Sequence, residues 1–280
     1  MADHLSSQPF QLYRDRGLAD AASALSSMGK KAPASALRST PHIPLGAVIA
    51  IVGCDGSGKS TLAADLCAAL AADQPVENLY LGQDSGNILR AILAIPLIGA
   101  AIGRFLVRKS QRAHADKDKS AAPDGTMALA IHLLSRWRRH KFGRMLKRHH
   151  DGHIIVADRY PQAEVAGFYF DGPGLVADED SSAFVRALAV REQRLYEQMA
   201  AYVPTLIIRL HIDAESAHAR KPDHKLAMLR DKVRVIPTLH FNAAPILELD
   251  GRDNYHAVLT AALAASRKAL RSECRPDVPD

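Results

Sequence analysis

Aromatic residues make up only 5% of this 280-residue chain, with a single tryptophan, so each ring is wanted for core packing as much as for a binding site. Cysteine is scarcer still: Cys54, Cys67 and Cys274 show no metal-type spacing, which argues against a zinc site and for a reduced protein. The N-terminus lacks the charged start and apolar core of a secretory signal, and the expected location is cytoplasmic. No internal repeat is visible, which excludes a solenoid. A long apolar run is missing too. Residues 91–103 are 13 uncharged residues interrupted by Pro96, short of the roughly 20 that a spanning helix needs.

A hydrophobic share of 48% suffices for one full core, and the length fits a single α/β domain with additions. The net charge of +6 is unevenly spread. Between residues 104 and 148 stand 13 Lys and Arg against Asp116, Asp118 and Asp124, so that stretch carries +10 and the remainder −4. A solvated helix face whose field attracts an anionic substrate is the first reading; an acidic membrane surface comes second and nucleic acid last. For 91–103 the default is a buried or dimer-interface helix, which would suit a homodimer. With Arg104, Arg108, Lys109 and Arg112 behind it, a peripheral membrane contact through 91–112 is the alternative.

The most specific feature is Gly53-Cys54-Asp55-Gly56-Ser57-Gly58-Lys59-Ser60-Thr61, which satisfies G-x-x-x-x-G-K-[ST]. It follows the apolar, β-branched run 47–52 and precedes an Ala- and Leu-rich helical stretch at 61–72. Strand, loop and helix in that order make a phosphate cradle. Its glycines let successive N–H groups turn toward phosphate oxygens at a helix N-terminus. Lys59 adds a positive charge, Ser60 offers its hydroxyl to Mg²⁺, and Thr61 caps or packs. Cys54 occupies a permissive position of the motif.

Residues 1–44, rich in Ala, Ser and Pro, read as an arm and linker; 45–272 form the domain and 273–280 a tail. Further strands are expected at 76–81, 153–157, 205–212 and 246–249, and helices at 182–201, 214–220, 226–235 and 255–271. A helical insertion occupies 88–149, between strands two and three. The pattern predicts a three-layer α/β fold, a five-stranded parallel sheet with helices on both faces and functional loops at the strands' C-terminal ends.

Asp158-Arg159-Tyr160 ends the third strand, on the same sheet edge as the cradle. Asp158 there can hold Mg²⁺ or orient an acceptor, and Arg159 can neutralise a phosphate. Further on, Arg220-Lys221-Pro222-Asp223-His224-Lys225 sets three permanent positive charges within six residues. They suit a helical lid over migrating phosphate, or a solvated helix end. Phe168-Tyr169-Phe170 suits stacking on a base or core packing.

Taken together, the cradle, the Asp158-Arg159-Tyr160 turn and the Arg220-Lys221-Pro222 segment resemble the thymidylate kinase family of P-loop nucleoside monophosphate kinases, over roughly residues 45–272. The Gly-x-Asp-Gly-x-Gly-Lys-Ser-Thr form of the loop carries most of the likeness. The resemblance implies ATP- and Mg²⁺-dependent phosphoryl transfer to dTMP or a related nucleotide, a place in nucleotide biosynthesis, and contact of Asp55 with the acceptor's sugar hydroxyl. Gly53, Asp55, Gly56, Ser57, Gly58, Lys59, Ser60, Thr61 and Arg220 would bind the nucleotides. Ser60 and Asp158 would hold the metal; Lys59, Asp158, Arg159, Arg220 and Lys221 would serve transfer. Two departures stand out. The family's Arg-Glu-Pro-type motif after strand two is replaced by Leu81-Gly82-Gln83-Asp84-Ser85-Gly86, with Arg90 as a substitute phosphate grip, and the loop itself has no arginine. A hydroxyl acceptor, with Asp158 or Asp84 as base, and a non-catalytic ATP-dependent switch at a membrane are the alternatives.

Overall fold

The apolar run before the cradle is β-branched on both faces because helices cover both. In a computed structural model of the chain, Val48, Ala50 and Val52 enter one core layer and Ile49 and Ile51 the other. The structure describes residues 42–72, 74–82, 125–167 and 170–273, all within the unit Pro41–Asp280. The apolar run 91–103, the basic residues up to 112, Arg90, Asp84, Phe168 and Tyr169 lie outside them.

In chain order the elements are β1 (Ile43–Gly53), α1 (Lys59–Leu70), β2 (Val76–Tyr80), α2 (Gly125–His150), β3 (Ile154–Asp158), α3 (Ala183–Ala200) and β4 (Tyr202–His211). Then come α4 (Ala214–Arg220), α5 (Leu226–Val235), a 3₁₀ turn (Ile236–Thr238), β5 (Ile246–Asp250) and α6 (Tyr255–Glu273). All five strands are parallel, in the order β2-β3-β1-β4-β5. The expected three-layer sheet is therefore present, with β1 in its centre.

On one face α1 packs Leu62, Ala63 and Leu66 with Val258 and Ala262 of α6 against Ile49, Ile51 and Ile208. On the other, Phe142 and Met145 of α2 and Tyr196 and Met199 of α3 cover Val48, Ala50 and Ile155. β1 begins at Ile43, ahead of the apolar run. Its register with β4 runs from Ile43 opposite Tyr202, shifts between Leu45 and Ile49, and resumes. Ala47 lies at that bulge with φ 55°, and Pro44 and Gly46 had hidden the strand from a propensity reading. Among the described residues no helix is long and apolar enough to cross a membrane.

Candidate phosphate and acceptor site

Parallel pairing brings the ends of β1, β3 and β4 to one edge, where Ile51 sits opposite Asp158 and Gly53 opposite Leu210. The chain then turns through the cradle into α1. Gly56 has φ 84°, and a Cβ on it would sit 2.8 Å from the Ala217 carbonyl oxygen. Gly58, at φ 95°, is the N-cap of α1 and supplies no side-chain cap. The first-turn N–H groups of a 12-residue helix are thus left to an external anion.

Lys59 is 6% exposed, and its Nζ donates to the Cys54 carbonyl oxygen at 2.6 Å. Burial, and after it the positive charge of Arg159, bring this amine down to about 8. Burial pushes the Cys54 thiol up, so the loop cysteine is an inert packing group, its Sγ 3.9 Å from the Leu229 carbonyl oxygen. Ser60 Oγ donates to Asp158 Oδ2 at 2.6 Å, and Thr61 faces solvent. Asp158 is 4% exposed, yet its Oδ1 is buried without a hydrogen-bond partner.

That donor set fits a magnesium ion. The Ser60 hydroxyl and the Asp158 carboxylate, one of whose oxygens is unpaired, beside the phosphate cradle, are the few oxygen ligands a hard cation needs when phosphates and water supply the rest. Among the described residues no group of three or more His, Cys, Asp or Glu could hold a metal by itself.

Arg159 follows at φ 70°, turned by its own N–H donating to the Ile51 carbonyl at 2.9 Å. Its guanidinium spans two carboxylates: Asp55, and Asp171 Oδ2 at 3.3 Å. Asp55 also accepts from Lys232 Nζ, and His224 Nδ1 lies 3.9 Å away. Asp171, itself at φ 62°, receives Arg138 from α2 at 3.1 Å on its side chain and 3.2 Å on its carbonyl. Burial favours the neutral acids, but Arg159 with Lys232 holds Asp55, and Arg159 with Arg138 holds Asp171, below the usual carboxylate range. The alternating chain Lys232–Asp55–Arg159–Asp171–Arg138, with Lys59 and Asp158, sets four cations against three carboxylates. Its net positive charge suits anionic ligands. Left-handed backbone at two non-glycine members of one ion-pair chain costs roughly 1–2 kcal/mol each and is the kind of strain functional sites carry.

Arg220, at the end of α4, turns back to the cradle and donates to the Gly56 carbonyl at 3.2 Å and to that of Gly251 at 3.0 Å. Lys221 is exposed, and its backbone N–H closes α4 by donating to the Ala217 and His218 carbonyl oxygens. Pro222 breaks the helix as expected, and α4, the turn and α5 form a cover beside the loop. Between that cover and Phe170 lies a cavity of about 410 Å³ lined by Phe170, Asp223, His224, Lys225, Met228 and Asp231. Asp55, which the family likeness assigns to an acceptor sugar, faces Arg159 and Lys232, with the cavity reached through His224.

Three members of this site had no role in the sequence reading: Lys232, Arg138 and Asp171. A signal existed for two of them. Lys232 falls on the apolar stripe of Leu229, Val233 and Ile236, and Arg138 on that of Phe142 and Met145, so each long cation was marked for burial.

A phosphate cradle after the central strand of an all-parallel five-stranded sheet makes this a three-layer α/β protein of the P-loop type. No protein-family model matches the chain. It is 51% identical over 223 residues to the uncharacterized ATP-binding protein YghS of Escherichia coli (strain K12), covering 80% of this chain and 93% of YghS. With the uncharacterized ATP-binding protein YghR of the same strain it shares 43% identity over 229 residues, 81% of this chain and 90% of YghR. The chain belongs to the family of these two proteins.

Proposed function

We propose that this protein binds ATP with Mg²⁺ and transfers its γ-phosphoryl group to a small acceptor, a nucleoside monophosphate in the first instance. The observation that carries the reading is Asp158, bonded to Ser60 of the cradle while its second oxygen, buried and unpaired, faces the same edge. The names of YghS and YghR support the ATP part. Ser60 and Asp158 would hold the Mg²⁺, which would supply positive charge against that of the donor phosphates.

The rest is positioning and charge neutralisation by the chain itself. Amides of 56–60 and Lys59 hold the donor phosphates; arrival of those charges restores the full positive state of the buried amine. Arg220 holds the lid end of α4 on the loop, and Arg159 faces the space between donor and acceptor. Asp55, Lys232 and His224 form the wall toward the 410 Å³ cavity, where Phe170 offers a ring to a base. Lys221 and Lys225 complete the positive side of the lid. Because Arg159 and Lys232 both already face Asp55, a hydroxyl acceptor is the second reading, with Asp158 as the base.

ATP, Mg²⁺ and a panel of nucleoside monophosphates, nucleosides and sugars test this by separation of products. Transfer to a monophosphate that vanishes in Lys59→Ala supports the first reading, and transfer only to a hydroxyl the second. ATP binding with no transfer to any acceptor would overturn both and leave a nucleotide-dependent switch.

A further inference from the structure

On the outer side of α2 and α3, away from the cradle, the two parallel helices leave a groove of about 800 Å³ between them. Its cationic walls are Arg136, Arg139, Arg144 and Lys147 of α2 and Arg191 and Arg194 of α3, and no carboxylate lines it. Among the described residues none of these six side chains makes an ion pair or a hydrogen bond. Their spacing makes the absence informative: 136 and 139, 144 and 147, and 191 and 194 are three-apart neighbours, so each helix carries like charges side by side and is weakened by them. A helix that needed only solubility would interleave acids here. His132 lines the groove's upper end with its Nδ1 buried and unpartnered. Burial, and after it the charges of Arg136 and Arg191, push that imidazole below its usual range.

The form of the site narrows the ligand. Five of the six cations are guanidiniums, whose planar forks take phosphoryl oxygens two at a time. From Arg136 to Lys147 the wall runs about 16 Å along the helix, at the standard rise of 1.5 Å per residue. The groove's volume is that of a small-molecule site, though it is open to solvent along its length. We infer that the α2–α3 groove is a second anion site, separate from the phosphate cradle, that takes a compact ligand carrying several phosphoryl groups in series. The inference stands whether or not the cradle serves phosphoryl transfer.

Inorganic tripolyphosphate is the probe, titrated at low salt into the full-length protein while the His132 ring resonances are followed by NMR. Saturable movement of the His132 signal and a rise in its titration midpoint are expected. Both should persist in Lys59→Ala, which disables only the cradle, and affinity at His132 should fall at least tenfold in the double variant Arg139→Gln/Arg194→Gln. That variant relieves repulsion on both helices, so its thermal midpoint should equal or exceed the wild type's, separating loss of the site from loss of the fold. A His132 signal unmoved by tripolyphosphate, or moved equally in the double variant, would overturn the inference. So would a single-stranded oligonucleotide or phosphatidylserine vesicles that protect His132 at lower phosphate concentration than tripolyphosphate does.

Discussion

Replacing Lys59 by methionine should make the ligand-free protein more stable while abolishing its response to nucleotide. The drop of the amine from 10.5 to about 8 amounts, at about 1.4 kcal/mol per pH unit, to about 3 kcal/mol against the charged form in the folded protein. Methionine keeps the unbranched stem and removes the charge; the lost hydrogen bond to the Cys54 carbonyl returns about 1 kcal/mol of that gain. The net expectation is about 2 kcal/mol, a rise of roughly 4–8 °C in thermal midpoint for a domain of this size. The sign follows from a base whose folded value is depressed. Its cost is fully present below pH 8 and disappears as pH rises toward 10.5, so the two midpoints should converge over that window. Differential scanning calorimetry with and without Mg²⁺-ATP is the assay. At a hundredfold excess over Kd the wild type gains about 2.7 kcal/mol from ligand and the variant none. A Lys59→Met protein that melts below the wild type at pH 7, or one that ATP stabilises equally, would refute the reasoning.

Asp171→Asn leaves Arg138, 1% exposed, and Arg159 facing an amide, and urea unfolding should show a loss of about 3–5 kcal/mol. Because the arginines depress the Asp171 carboxyl, its contribution is present above its usual value of 3.8 and lost as pH falls, so wild type and variant should converge in acid. Asp158→Asn should erase the extra stabilisation that Mg²⁺ gives ATP over ATP with EDTA and lower transfer about 10²- to 10³-fold; an undiminished Mg²⁺ effect in thermal scans would count against the site. Gly56→Ala places a methyl 2.8 Å from the Ala217 carbonyl at φ 84°, and should cost about 1–2 kcal/mol or more in chemical denaturation along with ATP affinity. A substitution there without effect on either would show the turn to be slack.

The cradle was legible because its parts are contiguous: a β-branched run, glycines at fixed offsets and a helix give nine adjacent residues one job. Asp158 was legible for a related reason, since a carboxylate ending a strand of a parallel sheet must arrive at the cradle's edge. The helices at 214–220 and 226–235 matched the structure because Pro222 and the apolar spacing act within a few residues. The start of β1 at Ile43 was not legible, since pairing with β4 recruits Pro44 and Gly46 against their own preferences.

The basic insertion shows where local reading ends. Composition established a +10 stretch and left its purpose open among a solvated face, a membrane and nucleic acid. Packing of α2 on α3 sorts those charges by face: Arg138 turns inward to Asp171, while Arg136, Arg139, Arg144 and Lys147 line a groove with Arg191 and Arg194. The same holds for Lys232, whose place on an apolar stripe of α5 marks it for burial but not for any partner. Its carboxylate, Asp55, is 177 residues away. By itself the sequence determined the phosphate cradle, the parallel α/β fold and the strand-end aspartate, because backbone chemistry and periodicity act over short spans. Tertiary structure alone decided which charges neutralise one another and which stay open, because that depends on distances set by how helices from distant parts of the chain pack on one sheet.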